Sequence, residues 1–145
     1  MAASVLPGVE TVLAAALGED LGRGDVTTRL TVPEGRTGKA FLTAKQDAVI
    51  AGLDLVAPVF ELAGGGVTVR LEAGDGDQVR AGRVLARMEG SARALLMGER
   101  VALNFLQQLS GVATRTRSFV DAVVGTRARI TDTRKTVPGL RVLQK

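Results

Sequence analysis

The chain has 145 residues, 46% of them hydrophobic, which is enough to bury a core and too many for a disordered chain. It contains no cysteine and no histidine, so disulfides, thiolate catalysis and cysteine-based metal sites are excluded, and any general base must be a carboxylate, a lysine or water. The net charge of +4 is uneven: residues 1–113 carry 11 basic and 13 acidic side chains, whereas residues 114–145 carry 8 and 2. A positive field confined to the last quarter suits a small, multiply charged anion at one site. Aromatic residues are only 3%, all phenylalanine, which argues against stacking on single-stranded nucleic acid, and no helix-turn-helix or RNA-recognition signature is present. No apolar run approaches the ~18 residues of a membrane span, and the N-terminus lacks the basic start of a signal peptide, so a cytoplasmic protein is expected.

In chain order, Leu6, Val9, Val12, Leu13, Ala16, Leu17 and Leu21 recur at helical spacing and predict an amphipathic helix over residues 8–21, ended by Gly22 and Gly24. Asp25, Thr27 and Thr28 form a polar loop. Asp20 and Asp25 are better read as residues capping a helix end and a turn than as metal ligands. Lys39–Ala44 and Ala48–Ala51 read as two strands of an antiparallel sheet. Residues 52–63 read as a short helix despite Pro58, and Val67–Leu71 as an alternating strand. The stretch 74–90, GDGDQVRAGRVLARMEG, reads as a hairpin that resembles the half-repeat of barrel-sandwich carrier modules. Carriers of that kind display a modified lysine at the tip, and no lysine occurs between Lys45 and Lys135, so the likeness is one of shape. Asp75 and Asp77 are turn residues in this reading, not calcium ligands.

Ser91 is a good N-cap for the longest helix. Leu95, Ala102, Leu103, Leu106 and Leu109 define its apolar face, with Arg93, Met97, Arg100, Asn104 and Gln107 opposite. Glu99 falls within that apolar face and is expected to be paired inside the fold. Ser110-Gly111 interrupts the pattern, and a second helical piece runs to Gly125. Ala128–Thr131 then reads as a buried β-branched strand. At its exit stand Asp132, Thr133, Arg134, Lys135 and Thr136, followed by Val137-Pro138-Gly139. A hydroxyl, a guanidinium and an ammonium presented together suit a carboxylate or phosphate, because arginine's planar fork makes two-point contacts and lysine adds a point charge.

The segment DTRKTVPGLRVLQK resembles the substrate-binding signature of the quinolinate phosphoribosyltransferase family. EDLGRGDVTT (Glu19–Thr28), AGLDLV (Ala51–Val56) and GERVALNFLQQLSGVAT (Gly98–Thr114) agree with the same family in order. The resemblance implies an α+β fold: an N-terminal α/β sandwich of the hammerhead-like kind over residues 1–110, with an antiparallel sheet plus helices. Residues 111–145 would then be a linking helix and the first strand of a truncated α/β barrel.

The family continues well past the position of Lys145, so an amino-terminal portion, inactive by itself, is expected. The implied reaction joins quinolinate to phosphoribosyl pyrophosphate with loss of carbon dioxide, giving nicotinate mononucleotide and pyrophosphate for NAD biosynthesis. The resemblance implies that Arg134, Lys135 and Thr133 contact quinolinate and that Arg100 reaches the substrate of a neighbouring subunit in a homodimer or larger assembly. No side chain is assigned a catalytic role. Mg2+ would accompany phosphoribosyl pyrophosphate, its ligands lying beyond Lys145. A barrel phosphoribosyltransferase with another substrate, or a non-catalytic barrel-sandwich-like binding module, would share parts of the pattern.

Overall fold

The computed structural model describes residues 8–145; Leu6 of the expected first helix lies outside the described residues. Helix α1 spans Val9–Leu21, with Val9, Leu13 and Leu17 buried one turn apart along a single face. It stops at Gly22, whose N–H bonds to the Gly18 carbonyl. Thr27 and Thr28, expected in a polar loop, lie in a short helix α2 (Val26–Thr31). Its apolar residues Val26 and Leu30 are exposed, so no burial periodicity announces it. Its ends explain it. Asp25 caps the start by accepting from the Thr28 N–H at 2.9 Å. At the other end the Arg93 guanidinium donates to the carbonyls of Val32 (2.9 Å) and Arg29 (3.2 Å) and meets Glu34 at 3.1 Å. Asp25 is thus a helix cap, one of the two roles expected of it.

Strands β1 (Thr37–Thr43), β3 (Val67–Leu71) and β5 (Val84–Ser91) form an antiparallel sheet in the order β1-β5-β3. Strands β2 (Ala48–Val49) and β4 (Gln78–Val79) pair separately, Ala48 facing Val79 and Val49 facing Gln78. Two expectations are corrected here. The segments at 39–44 and 48–51 belong to different sheets, and the stretch 74–90 is not a hairpin, because its two strands join different partners. Period-two alternation marks a strand but says nothing about its neighbour. The expected turn residues do appear: Asp77 accepts from the Gly74 N–H at 2.9 Å. Asp75 accepts from the N–H groups of Gly52 and Leu53, both at 2.8 Å, and so opens the 3-10 turn that leads into helix α3 (Val56–Leu62). Pro58 is tolerated as the third residue of α3, where a missing N–H costs little.

Helix α4 (Ala92–Ala122) is capped by the Ser91 hydroxyl, which accepts from the Ala94 N–H at 3.2 Å. It runs unbroken through Ser110-Gly111, contrary to expectation. Its buried stripe is Ala94, Leu95, Gly98, Val101, Ala102, Phe105, Leu106, Leu109 and Ser110. That stripe is turned by roughly 45° from the expected one, because Val101 and Phe105 belong to it and Leu103 does not. Glu99 accordingly lies on the surface, with no hydrogen bond or ion pair among the described residues, and the expected buried pairing is overturned. Gly98 lets α3 and α4 approach closely: a Cβ there would lie 2.7 Å from the Phe60 ring.

Two apolar clusters result. One joins α1, α3 and α4 through Leu13, Leu17, Val59, Val101 and Phe105. The other joins the strands to α3 and α4 through Ile50, Leu53, Phe60, Leu85 and Leu106. The edge beside β2 is closed by side chains of α4. The Ser110 hydroxyl accepts from the Ala51 N–H at 3.0 Å and donates to the Ala51 carbonyl at 3.3 Å. Thr114 does the same for Val49, at 2.8 and 3.4 Å. Helical hydroxyls thus take the place of a neighbouring strand. Replacing Ser110 with alanine and Thr114 with valine is expected to cost about 1–2 kcal/mol each, the usual result of orphaning a part-buried donor. Denaturant unfolding measures the loss, and faster hydrogen exchange at the Val49 and Ala51 amides would locate it.

The expected strand at Ala128–Thr131 does not form. Residues 123–140 carry no regular element, Ile130 is exposed, and among the described residues no strand pairs with this stretch. β-Branched residues favour a strand only when a neighbour supplies the hydrogen-bond ladder. Short helix α5 (Arg141–Gln144) follows, and Leu140 and Leu143 pack against the α1–α3–α4 cluster.

Candidate functional site

The expected site residues fall in two places. Thr133, Arg134 and Lys135 lie on an exposed loop whose two ends are tied together. The Lys145 ammonium pairs with Asp132 and holds that carboxyl below its ordinary pKa. The Val137 N–H donates to the Gln144 side-chain carbonyl at 2.9 Å, and Arg141 reaches the Thr136 hydroxyl at 3.4 Å and the Arg134 carbonyl at 3.5 Å. The Lys135 N–H donates to the Thr133 hydroxyl at 3.1 Å, an ST-turn that sets the local chain direction. The side chains of Arg134 and Lys135 make no ion pair among the described residues. The loop therefore offers two cations with their hydrogen-bonding capacity unspent, and Asp132, the acidic residue beside them, is already paired with Lys145.

Arg100 stands elsewhere, on the side of α4 opposite the buried stripe, as its position on the helical wheel requires. Its Nη1 donates to Asp20 Oδ1 at 2.6 Å, and this bond raises the guanidinium pKa above its ordinary value. Asp20 sits in the last turn of α1 and pairs with Arg100; it is not a cap for that helix end. Asp25 adds a second negative charge nearby, with its own carboxyl lowered chiefly by the hydrogen bond from the Thr28 hydroxyl. No hydrogen bond or ion pair among the described residues joins Arg100 to the 133–135 loop. Asp20 and Arg100 are 80 residues apart, and no local pattern could have connected them. The ties made by Arg141 and Gln144 are local, within seven residues, yet no pattern of residue types announces them.

An open cavity of about 770 Å³ lies between the β1–β2 region and the middle of α4, floored by Leu42, Ile50, Leu85 and Leu106 and rimmed by Lys45 and Arg115. None of the four candidate residues lines it. Among the described residues no group of three or more acidic side chains is placed to hold a metal ion, and no helix is long and apolar enough to cross a membrane.

This α+β fold is shared with solved structures, a nicotinate-nucleotide pyrophosphorylase among them. The one from Francisella tularensis is 30% identical with a TM-score of 0.88, over 97% of this chain and 51% of that one. NadC from Streptococcus pyogenes is 40% identical with a TM-score of 0.87, over 93% of this chain and 49% of that one. The chain belongs to the quinolinate phosphoribosyl transferase family: residues 25–110 match the model of its N-terminal domain and residues 112–145 that of its C-terminal domain. A probable carboxylating nicotinate-nucleotide pyrophosphorylase of Synechocystis is 47% identical over 89% of this chain and 43% of its own length. The carboxylating nicotinate-nucleotide pyrophosphorylase of Mycobacterium leprae is 45% identical over 90% and 47%. The chain thus spans about half the length of the curated relatives it matches.

Proposed function

We propose that this chain takes part in transferring a phosphoribosyl group from phosphoribosyl pyrophosphate to quinolinate, with decarboxylation to nicotinate mononucleotide. The observation that carries the reading is the loop at 133–135. It holds two cations, unpaired among the described residues, and a hydroxyl within the stretch matched by the family's C-terminal domain. Quinolinate presents two adjacent carboxylates on a pyridine ring. A guanidinium and an ammonium on consecutive residues suit that pattern, with Arg134 gripping one carboxylate at two points and Lys135 adding a second positive charge.

The ring nitrogen attacks the ribose anomeric carbon with its lone pair, the bond to pyrophosphate breaks, and the 2-carboxylate leaves as carbon dioxide. The carbanion at ring carbon two, beside the cationic nitrogen, then takes a proton. No general base is demanded for the attack. The chain's contribution is to hold the dicarboxylate in place while charge redistributes.

Arg100 projects away from its own core, which supports its serving a substrate held by a second copy of the chain in a homodimer. The division of the chain near residue 110 is part of the same reading. Mg2+ would travel with the pyrophosphate. The described carboxylates are not gathered into a site for it. Soluble small-molecule substrates support a cytoplasmic location.

The test is Arg134→Ala in a full-length family enzyme carrying residues 1–145 of this chain. Losing a two-point charge-assisted contact is worth about 2–3 kcal/mol, so KM for quinolinate should rise about thirtyfold or more. KM for phosphoribosyl pyrophosphate should change little. Equal changes in both constants, or in neither, would remove the role.

A further inference from the structure

The two partners of the Asp20–Arg100 pair differ in exposure. Asp20 is 17% exposed and Arg100 is 71% exposed. The carboxylate sits on a helix held down by Leu13 and Leu17, and its neighbour Leu21 is packed on the same cluster. The guanidinium stands on a long flexible stem in solvent. The anchor is therefore rigid, and the group it holds is the mobile one. The bond uses Nη1 alone, and the Nε–Nη2 edge has no partner among the described residues. That edge is the one arginine offers to a planar carboxylate in two parallel hydrogen bonds.

We infer that Asp20 is the positioning residue for Arg100: it holds the guanidinium by one nitrogen so that the opposite edge faces outward for a carboxylate ligand. An unrestrained arginine loses much side-chain freedom on binding, and a fixed carboxylate at its back removes that cost in advance. Asp25 supports the arrangement at longer range without competing for the same hydrogens, because Thr28 occupies its oxygens through both backbone and hydroxyl. The inference rests on the reading of Arg100 as a substrate contact.

The test uses a full-length family enzyme carrying residues 1–145, with Asp20→Ala, Asp20→Asn, Arg100→Ala and the double variant Asp20→Ala/Arg100→Ala. Asp20→Ala should raise KM for quinolinate about tenfold, with KM for phosphoribosyl pyrophosphate unmoved. Asp20→Asn, whose amide oxygen still accepts from Nη1, should restore most of the loss. The double variant should be no worse than Arg100→Ala alone, since an anchor has nothing left to hold. In the present chain, the Arg100 Nη1 protons should exchange faster with water and their signal broaden in Asp20→Ala, while the melting temperature moves by about 2 °C or less. If Arg100→Ala raises quinolinate KM and Asp20→Ala does not, the positioning role is overturned and the substrate contact stands. If neither does, the substrate contact itself is overturned, and the positioning role with it. A loss in Asp20→Ala that adds fully to that of Arg100→Ala, or that affects both substrates equally, also overturns it.

Discussion

Replacing Gly90 with alanine should lower the melting temperature of this chain by about 10 °C, from a combined cost of about 3–4 kcal/mol. Gly90 lies in β5, the central strand, where it is paired with Gly38 of β1 on one side and Val67 of β3 on the other. Its φ of +150° is one that side chains avoid, and a Cβ would sit 2.0 Å from the Gly66 carbonyl oxygen and 2.8 Å from Val67 Cα. Both obstacles are backbone, so no rotamer change relieves them. The same oxygen accepts the Ser91 N–H at 2.9 Å, so pushing it away also breaks a ladder bond at the entrance to α4. Gly38→Ala is the control. Its Cβ would meet nothing nearer than 3.7 Å, and its melting point should stay close to that of the parent. Differential scanning calorimetry on the two variants separates the clash from the general effect of removing a glycine.

Leu13→Ala should cost about 3–5 kcal/mol, measured by denaturant unfolding. Leu13 is 0% exposed and sits in the cluster that binds α1 to α3 and α4. Truncation leaves a cavity walled on those sides by packed elements with no room to collapse. The exposed counterpart is Leu30, 81% exposed on α2, where the same change should fall within about 0.5 kcal/mol of zero. The two leucines are alike in chemistry, and only their surroundings differ. Because α1 also carries Asp20, loosening it should disturb the Arg100 guanidinium as well.

Much of the fold could be read from residue patterns, and the failures share a cause. Helix α1, the α3 segment, β3 and the start of α4 were all visible from periodicity and caps, because each has one buried face and a local signal at its end. The outward direction of Arg100 followed from the same wheel. Helix α2 escaped notice because its stability comes from Asp25 and from Arg93, 61 residues away from the Val32 carbonyl it binds. The phase of α4 was misjudged at Glu99 because Val101 and Phe105 were not given their weight, and a stripe fed by two clusters is broad. Ser110 reads as a break in the sequence because its hydroxyl is polar, whereas in the fold it is buried with a partner on the sheet edge. Strand pairing was the least legible feature: the pattern at 74–90 showed two strands but not that they part company. Of the candidate site, the order of residues brings out the run of polar and cationic side chains at 132–136 but sets it at the end of a strand that does not form. The ties that close it, through Arg141, Gln144 and Lys145, come from residues whose local sequence gives no hint of them.

The continuity of α4 has a geometric consequence. Its 31 residues make a rod about 46 Å long, and the two matched regions of the family meet on it with one residue, Gly111, between them. A rod of this kind converts residue count into angle. One residue added or removed at that junction would swing everything downstream by about 100° and shift it about 1.5 Å along the axis. Leu140 and Leu143 would then be aimed away from the cluster they now cover, and the cationic loop would leave with them. The junction is a gear tooth, and its setting can change only in steps that return the helix to the same bearing.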